Sequence, residues 1–228
     1  RHGRHPLPAI LIQRARMEQR LRAFANVQAH DACAGWRIRH CEVEIKESVS
    51  LDISGEASMP LRGRIDRIDE NIRTGRWRVI DYKTGERGNS PIQVHHNAKE
   101  VPALNDEIEW HDLQLPLYHL LVTREKGLAL PADRIELGYI VLPRRADGAR
   151  WLSAAWTAKH IEHALNRARE IVREIRASAA TGAFERNRDI DGPWDTYARI
   201  CQTAAFQPSG DADESGEGDG ASANGGDE

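Results

Sequence analysis

The stretch that decides the fold runs Leu61-Arg62-Gly63-Arg64-Ile65-Asp66-Arg67-Ile68-Asp69-Glu70, then Asn71-Ile72-Arg73-Thr74-Gly75, then Arg76-Trp77-Arg78-Val79-Ile80-Asp81-Tyr82-Lys83-Thr84-Gly85. The first part has Leu61, Ile65 and Ile68 as apolar anchors, and the last carries Trp77, Val79 and Ile80, all strand formers. Asn71 to Gly75 supplies turn chemistry between them. An antiparallel hairpin is expected. In its second strand Asp81 and Lys83 are two residues apart and share a face, while Tyr82 points the other way. Asp66 lies fifteen residues before Asp81, and folding the hairpin brings the two carboxylates together. Adjacent carboxylates repel unless a cation sits between them. An all-oxygen ligand set suits Mg²⁺, with Mn²⁺ able to substitute. A lysine beside it can orient or deprotonate a water. This is the minimal equipment for metal-assisted phosphodiester hydrolysis.

Three elements occur in one order. They are Gly63-Arg64-Ile65-Asp66-Arg67-Ile68-Asp69, Val79-Ile80-Asp81-Tyr82-Lys83-Thr84-Gly85, and Gln114-Leu115-Pro116-Leu117-Tyr118. Together they resemble the nuclease domain of the RecB and AddB family, a branch of the PD-(D/E)xK nucleases. The resemblance spans roughly residues 10 to 206, with its specific part at 61 to 118. It implies a restriction-endonuclease-like α/β core in which a central mixed sheet is flanked by helices. It further implies a metal held by Asp66, Asp81 and the backbone carbonyl of Tyr82. Lys83 would position the attacking water, and Gln114 and Tyr118 would lie beside the catalytic centre. DNA-end processing in recombination and repair is the implied role, with a helicase subunit or a fused helicase domain as partner. The chain has no Walker A element of its own. Two rivals keep the fold: a catalytically silent DNA-binding or scaffold module, and a nuclease of a defence system. Glu44 stands where the family often carries a peripheral acid, and an ordinary exposed strand glutamate is the alternative. Many AddB-like nucleases hold an iron–sulfur cluster on four cysteines. This chain has only Cys33, Cys41 and Cys201, so no cluster is expected.

The remaining elements follow from periodicity. Ile10 to about Ala34 reads as a helix, with Leu11, Ala15, Leu21, Phe24, Ala25 and Val27 at helical spacings. Arg14, Arg16, Arg20 and Arg22 stud it, either as a solvated face or as phosphate contacts. Trp36 to Leu51 reads as strand. Glu86 to Asp106 reads as a long loop in which His95 and His96 are surface residues. Trp110 to Lys126 reads as a helix starting near Leu115, with Pro116 in its first turn. Arg134 to Pro143 reads as a strand, and Trp156 to about Ala180 as a second long helix with Thr157 as N-cap and Gly182 past its end. Trp194 and Tyr197 are expected to close the domain in the loop-rich segment from Phe184 to Phe206.

Size and charge bound the rest. The chain has 228 residues, and 40% of them are hydrophobic, enough for one domain over 1–206 and an acidic Gly/Ser-rich tail over 207–228, which is expected to be disordered. The net charge of −3 conceals a basic body. Residues 207–228 hold seven acids and no Lys or Arg, which leaves +4 for residues 1–206. A basic body is compatible with nucleic acid. No run of eighteen apolar residues exists, so no membrane span is expected. The start Arg1-His2-Gly3 reads as a domain cut from, or processed out of, a longer chain. Three cysteines make no disulfide framework, and a reducing cytoplasm fits them best. His30, Cys33, His40 and Cys41 lack the spacing of a zinc finger or ribbon.

Overall fold

The computed structural model describes residues 7–85, 88–104, 108–145 and 148–182. Among them a five-stranded sheet runs in the order β1-β2-β3-β4-β5, with chain-order neighbours paired throughout. The strands are β1 (Trp36–Leu51), β2 (Met59–Asn71), β3 (Trp77–Lys83), β4 (Ile135–Val141) and β5 (Arg150–Ser153). Only β3 and β4 run parallel; the other three pairings are antiparallel. The crossover between β3 and β4 carries two helices, α2 (Pro91–His96) and α3 (Gln114–Arg124). A long helix precedes the sheet, α1 (Pro8–Cys33), and another follows it, α4 (Ala158–Thr181). This is the expected α/β architecture with a mixed sheet.

The hairpin forms for the reasons its sequence carries. Asn71 Oδ1 accepts hydrogen bonds from the amides of Arg73 and Thr74, and Gly75 takes a left-handed φ of +67° that closes the turn. Arg67 then pairs with Ile80 and Ile68 with Val79. Ile65, Ile68, Val79, Leu115, Val122, Tyr139 and Val141 are fully buried and bind the sheet to α3. Gly63 lets that helix approach: a Cβ there would lie 2.5 Å from Leu121 Cδ1. Thr157 and Gly182 bracket α4 as expected, Gly182 at a φ of +70°.

Across the sheet from α3, buried charge is paired. Asp69 is fully buried and takes a bidentate pair from Arg67 at 2.6 and 2.5 Å. Arg78 lies between the rings of Trp36 and Trp151, 3.7 and 4.7 Å from their centroids, and reaches Asp31 of α1 at 3.1 Å. These contacts hold the C-terminal half of α1, and Phe24 adds an edge-on ring contact with Tyr82.

Two expectations need correction. Glu86 to Asp106 is not loop throughout, because α2 forms inside it with Ser90 as N-cap and Gln93 completing a capping box. His95 and His96 are not surface residues: they are 0% and 7% exposed, packed among Trp110, Trp156 and Tyr139. Leu11 and Leu21 of α1 are exposed, so its N-terminal half covers no core in the described residues. β5 was not expected at all. The expected packing of Trp194 and Tyr197, Cys201 and the acidic tail lie outside the described residues.

Candidate active site

The C-terminal end of β3 delivers Asp81 and Lys83, β2 delivers Asp66, and the first turns of α3 deliver Gln114 and Tyr118. All five expected side chains meet here. Lys83 Nζ stands 2.8 Å from Asp81 Oδ2. Gln114 is the hub: its Nε2 donates to Asp81 Oδ1 at 3.0 Å and to Tyr118 Oη at 2.9 Å, while its Oε1 accepts from Lys83 Nζ at 3.3 Å. Only one amide orientation satisfies these partners, since an ammonium has no lone pair to offer and a carboxylate no proton. The Tyr118 hydroxyl donates to the Arg64 carbonyl at 2.7 Å and so ties α3 to β2 two residues before Asp66. The Asp66 carboxylate accepts the Tyr82 amide at 2.9 Å, which fixes it against the backbone between Asp81 and Lys83.

The electrostatics single out Asp81. Burial pushes its carboxyl above the ordinary range; Lys83 and Gln114 oppose the shift, and the charge of Asp66 adds to it. Its Oδ2 is buried, with the Lys83 ammonium 2.8 Å away as its partner. Two carboxylates converge, and burial disfavours the ionisation of one of them. A divalent cation would relieve both conditions. The described residues contain no cluster of three or more His, Cys, Asp or Glu suited to a metal. The oxygen donors the site offers are the two carboxylates and the neighbouring backbone carbonyls. That is the set Mg²⁺ uses when it keeps several waters and takes substrate phosphate as ligand. Asp69 is excluded from such a role by its buried pair with Arg67. Glu44 is exposed and paired with Lys46 at 3.1 Å, in register with Arg64 on the neighbouring strand. The Tyr82 side chain leaves the site for the opposite face, where its hydroxyl accepts from Arg67 at 3.2 Å.

Three supporting residues were missed by sequence reasoning: His95, Asp112 and Tyr139. The His95 Nδ1–H donates to the Asp112 carbonyl at 2.5 Å, and its Nε2 accepts from the Tyr139 hydroxyl at 2.9 Å. Because a carbonyl can only accept, the tautomer is fixed. Burial lowers the imidazole's pKa and keeps it neutral; the neighbouring His96 and Lys83 act in the same sense, and Asp112 opposes them. Asp112 Oδ1 accepts the Gln114 amide at 2.7 Å, setting the start of α3. The Tyr139 ring lies 4.8 Å from Lys83 Nζ. His95 thus joins both supports of the Lys83 ammonium, the Gln114 arm and the aromatic ring below it. The available signal was Ser90-Pro91-x-Gln93, a helix start that would have placed His95 and His96 on an ordered element.

With this geometry in place, a family profile of the PD-(D/E)XK nuclease superfamily matches residues 3–204. The chain belongs to the PD-(D/E)XK nuclease superfamily. It is also 37% identical over 98 residues to a Symbiobacterium thermophilum protein named as one of the subunits of an ATP-dependent helicase/deoxyribonuclease. That match takes in 42% of this chain and 7% of the relative, so this nuclease-family chain spans a small part of the relative's length. Among the described residues no helix is long and apolar enough to cross a membrane.

Proposed function

We propose that this chain is a metal-dependent deoxyribonuclease of RecB/AddB type that hydrolyses phosphodiesters at DNA ends, with Mg²⁺ as its cation and Mn²⁺ able to substitute. The convergence of Asp66, Asp81 and Lys83 around Gln114 carries the reading. A scaffold has no chemical reason to hold a buried carboxylate against a second one at the cost of a raised pKa. Asp66, Asp81 and the Tyr82 carbonyl would hold the cation. When bound, it supplies Lewis-acid stabilisation of phosphate charge and a water acidified towards neutrality.

The protein's own groups do the rest. Gln114 holds the Lys83 ammonium beside Asp81 rather than letting it swing into solvent. Lys83 is half-buried, so its positive charge faces an incoming phosphate through little water and stabilises negative charge as it builds. Tyr118 locks Gln114, and burial raises its phenol pKa, which keeps it a neutral donor to the Arg64 carbonyl. The name of the Symbiobacterium relative supports DNA as substrate and a helicase, on a separate polypeptide or fused to this chain, as partner. A cytoplasmic setting in recombination and repair fits that partnership.

The test is paired. Single-turnover cleavage of labelled DNA in Mg²⁺ and binding of the same DNA in Ca²⁺ are measured for wild type and Lys83→Ala. The variant keeps both carboxylates. Its cleavage rate should fall by about 10²-fold or more, with a modest loss of affinity. An unchanged rate on bound DNA would make Lys83 a docking residue. A wild type that cleaves nothing in Mg²⁺ or Mn²⁺ would favour the scaffold reading.

A further inference from the structure

α1 carries four arginines between residues 14 and 22, and their surroundings divide them. The helix has two acids, Glu18 and Asp31. Glu18 is taken by Arg14 at 2.9 Å, and Asp31 by Arg78 at 3.1 Å. Arg16 and Arg20 have no acid three or four residues away on either side, so nothing within helical reach can neutralise them. They are themselves four apart, a like-charge pair on one face that costs an isolated helix stability. Arg20 is half-buried and its Nε is wholly buried without an acceptor, while an Nη reaches the carbonyl of Thr84 at 3.4 Å. Thr84 follows Lys83 directly. Phe24, one turn further along α1, sets this position by packing edge-on against Tyr82.

The helix axis gives the direction. Asp31 lies level with Arg78, Phe24 with Tyr82 and Arg20 with Thr84. Arg16 therefore projects about 6 Å beyond the end of the catalytic strand, at 1.5 Å of rise per residue. We propose that Arg16 and Arg20 form a two-rung phosphate clamp that holds the nucleic-acid backbone where it leaves the Lys83 end of β3. A one-turn step between two cations is of the order of the spacing of successive phosphates along a strand. An anion between them would remove the like-charge cost and take charge-assisted hydrogen bonds from the exposed ends of the guanidinium groups. The clamp deepens the nucleic-acid part of the proposed function and rests on it; it reads backbone and not bases.

The experiment measures the equilibrium affinity of a labelled duplex oligodeoxynucleotide in Ca²⁺ across a salt series, with cleavage in Mg²⁺ followed on the same samples. Arg20→Gln should lower the slope of log affinity against log salt by about 0.9, and Arg16→Gln/Arg20→Gln by about twice that. Arg20→Lys should keep the wild-type slope because it keeps the charge, and Arg14→Gln should keep it because Arg14 is already paired. Melting curves identify any variant that fails to fold, and Arg16→Gln, at an exposed position, is then the deciding variant. Wild-type slopes in Arg16→Gln and in the double variant would overturn the clamp, whether or not the protein cleaves. A wild type that binds with the predicted slope changes and never cleaves would leave the clamp standing and sink the nuclease reading. Absence of DNA binding by wild type would overturn both.

Discussion

Gly63→Ala tests whether the glycine of the Gly63-Arg64-Ile65-Asp66 element is there for space. An added Cβ would lie 2.5 Å from Leu121 Cδ1. Carbon atoms rest at about 3.5–4.0 Å, so roughly 1 Å of room must be made. Leu121 is 2% exposed in the close-packed core, so the expected response is a shift of α3 off β2. Overpacking of this kind costs about 1–3 kcal/mol. For a domain of this size that lowers Tm by about 2–12 °C, at roughly 2–4 °C per kcal/mol. The same movement stretches the Gln114–Asp81 and Tyr118–Arg64 hydrogen bonds, now 3.0 and 2.7 Å, towards or beyond hydrogen-bonding range. Displacement on this scale can cost about 10²-fold in rate. The assay pairs thermal unfolding with single-turnover cleavage. Leu121→Ala alone should destabilise through its cavity, yet the two changes together should cost less than their sum, because each relieves the other. Wild-type melting and cleavage in Gly63→Ala, or strictly additive costs in the double variant, would refute the reasoning.

Two further predictions concern charge. Asp81→Asn should melt higher than wild type at neutral pH while losing cleavage. The folded-state pKa of Asp81 is raised, so the ionised form destabilises the fold at pH above the carboxyl range, and a neutral isostere removes that cost. The gap should close as pH falls and wild-type Asp81 takes up its proton; a lower Tm for Asp81→Asn at neutral pH would count against the assignment. His95 should make the fold acid-sensitive. Its folded pKa is depressed below 6.5 by burial, so the unfolded chain binds the proton first, and stability is lost as pH falls from about 6.5 towards the depressed value. Tm followed from about pH 7.5 to about pH 5 should drop more steeply for wild type than for His95→Asn, and parallel curves would remove His95 from the account.

The sheet's first three strands and the helix that covers them were legible because local signals agreed there. β1 carries Ile38, Val43, Ile45, Val49 and Leu51 among charged residues, the hairpin has turn chemistry from Asn71 to Gly75, and α3 has an apolar stripe with proline confined to its first turn. Asp81 and Lys83 share a face by strand geometry alone, and the three-part motif brought Gln114 to them. The missed features depend on distant partners. Nothing near His95 in the chain announces Tyr139, forty-four residues later, or the wall formed by Trp110 and Trp156. β5 is four residues long, too short for periodicity to register. The arginines of α1 looked alike in sequence and separated only when the end of β3 was placed beside Arg20.

The most direct test of the central claim is the anomalous scattering of a crystal of this protein soaked in Mn²⁺. The account predicts a peak bound by the carboxylates of Asp66 and Asp81, within reach of the Tyr82 carbonyl, with Lys83 beside it and still held by Gln114. Mn²⁺ bound elsewhere with no peak at these two carboxylates would contradict it.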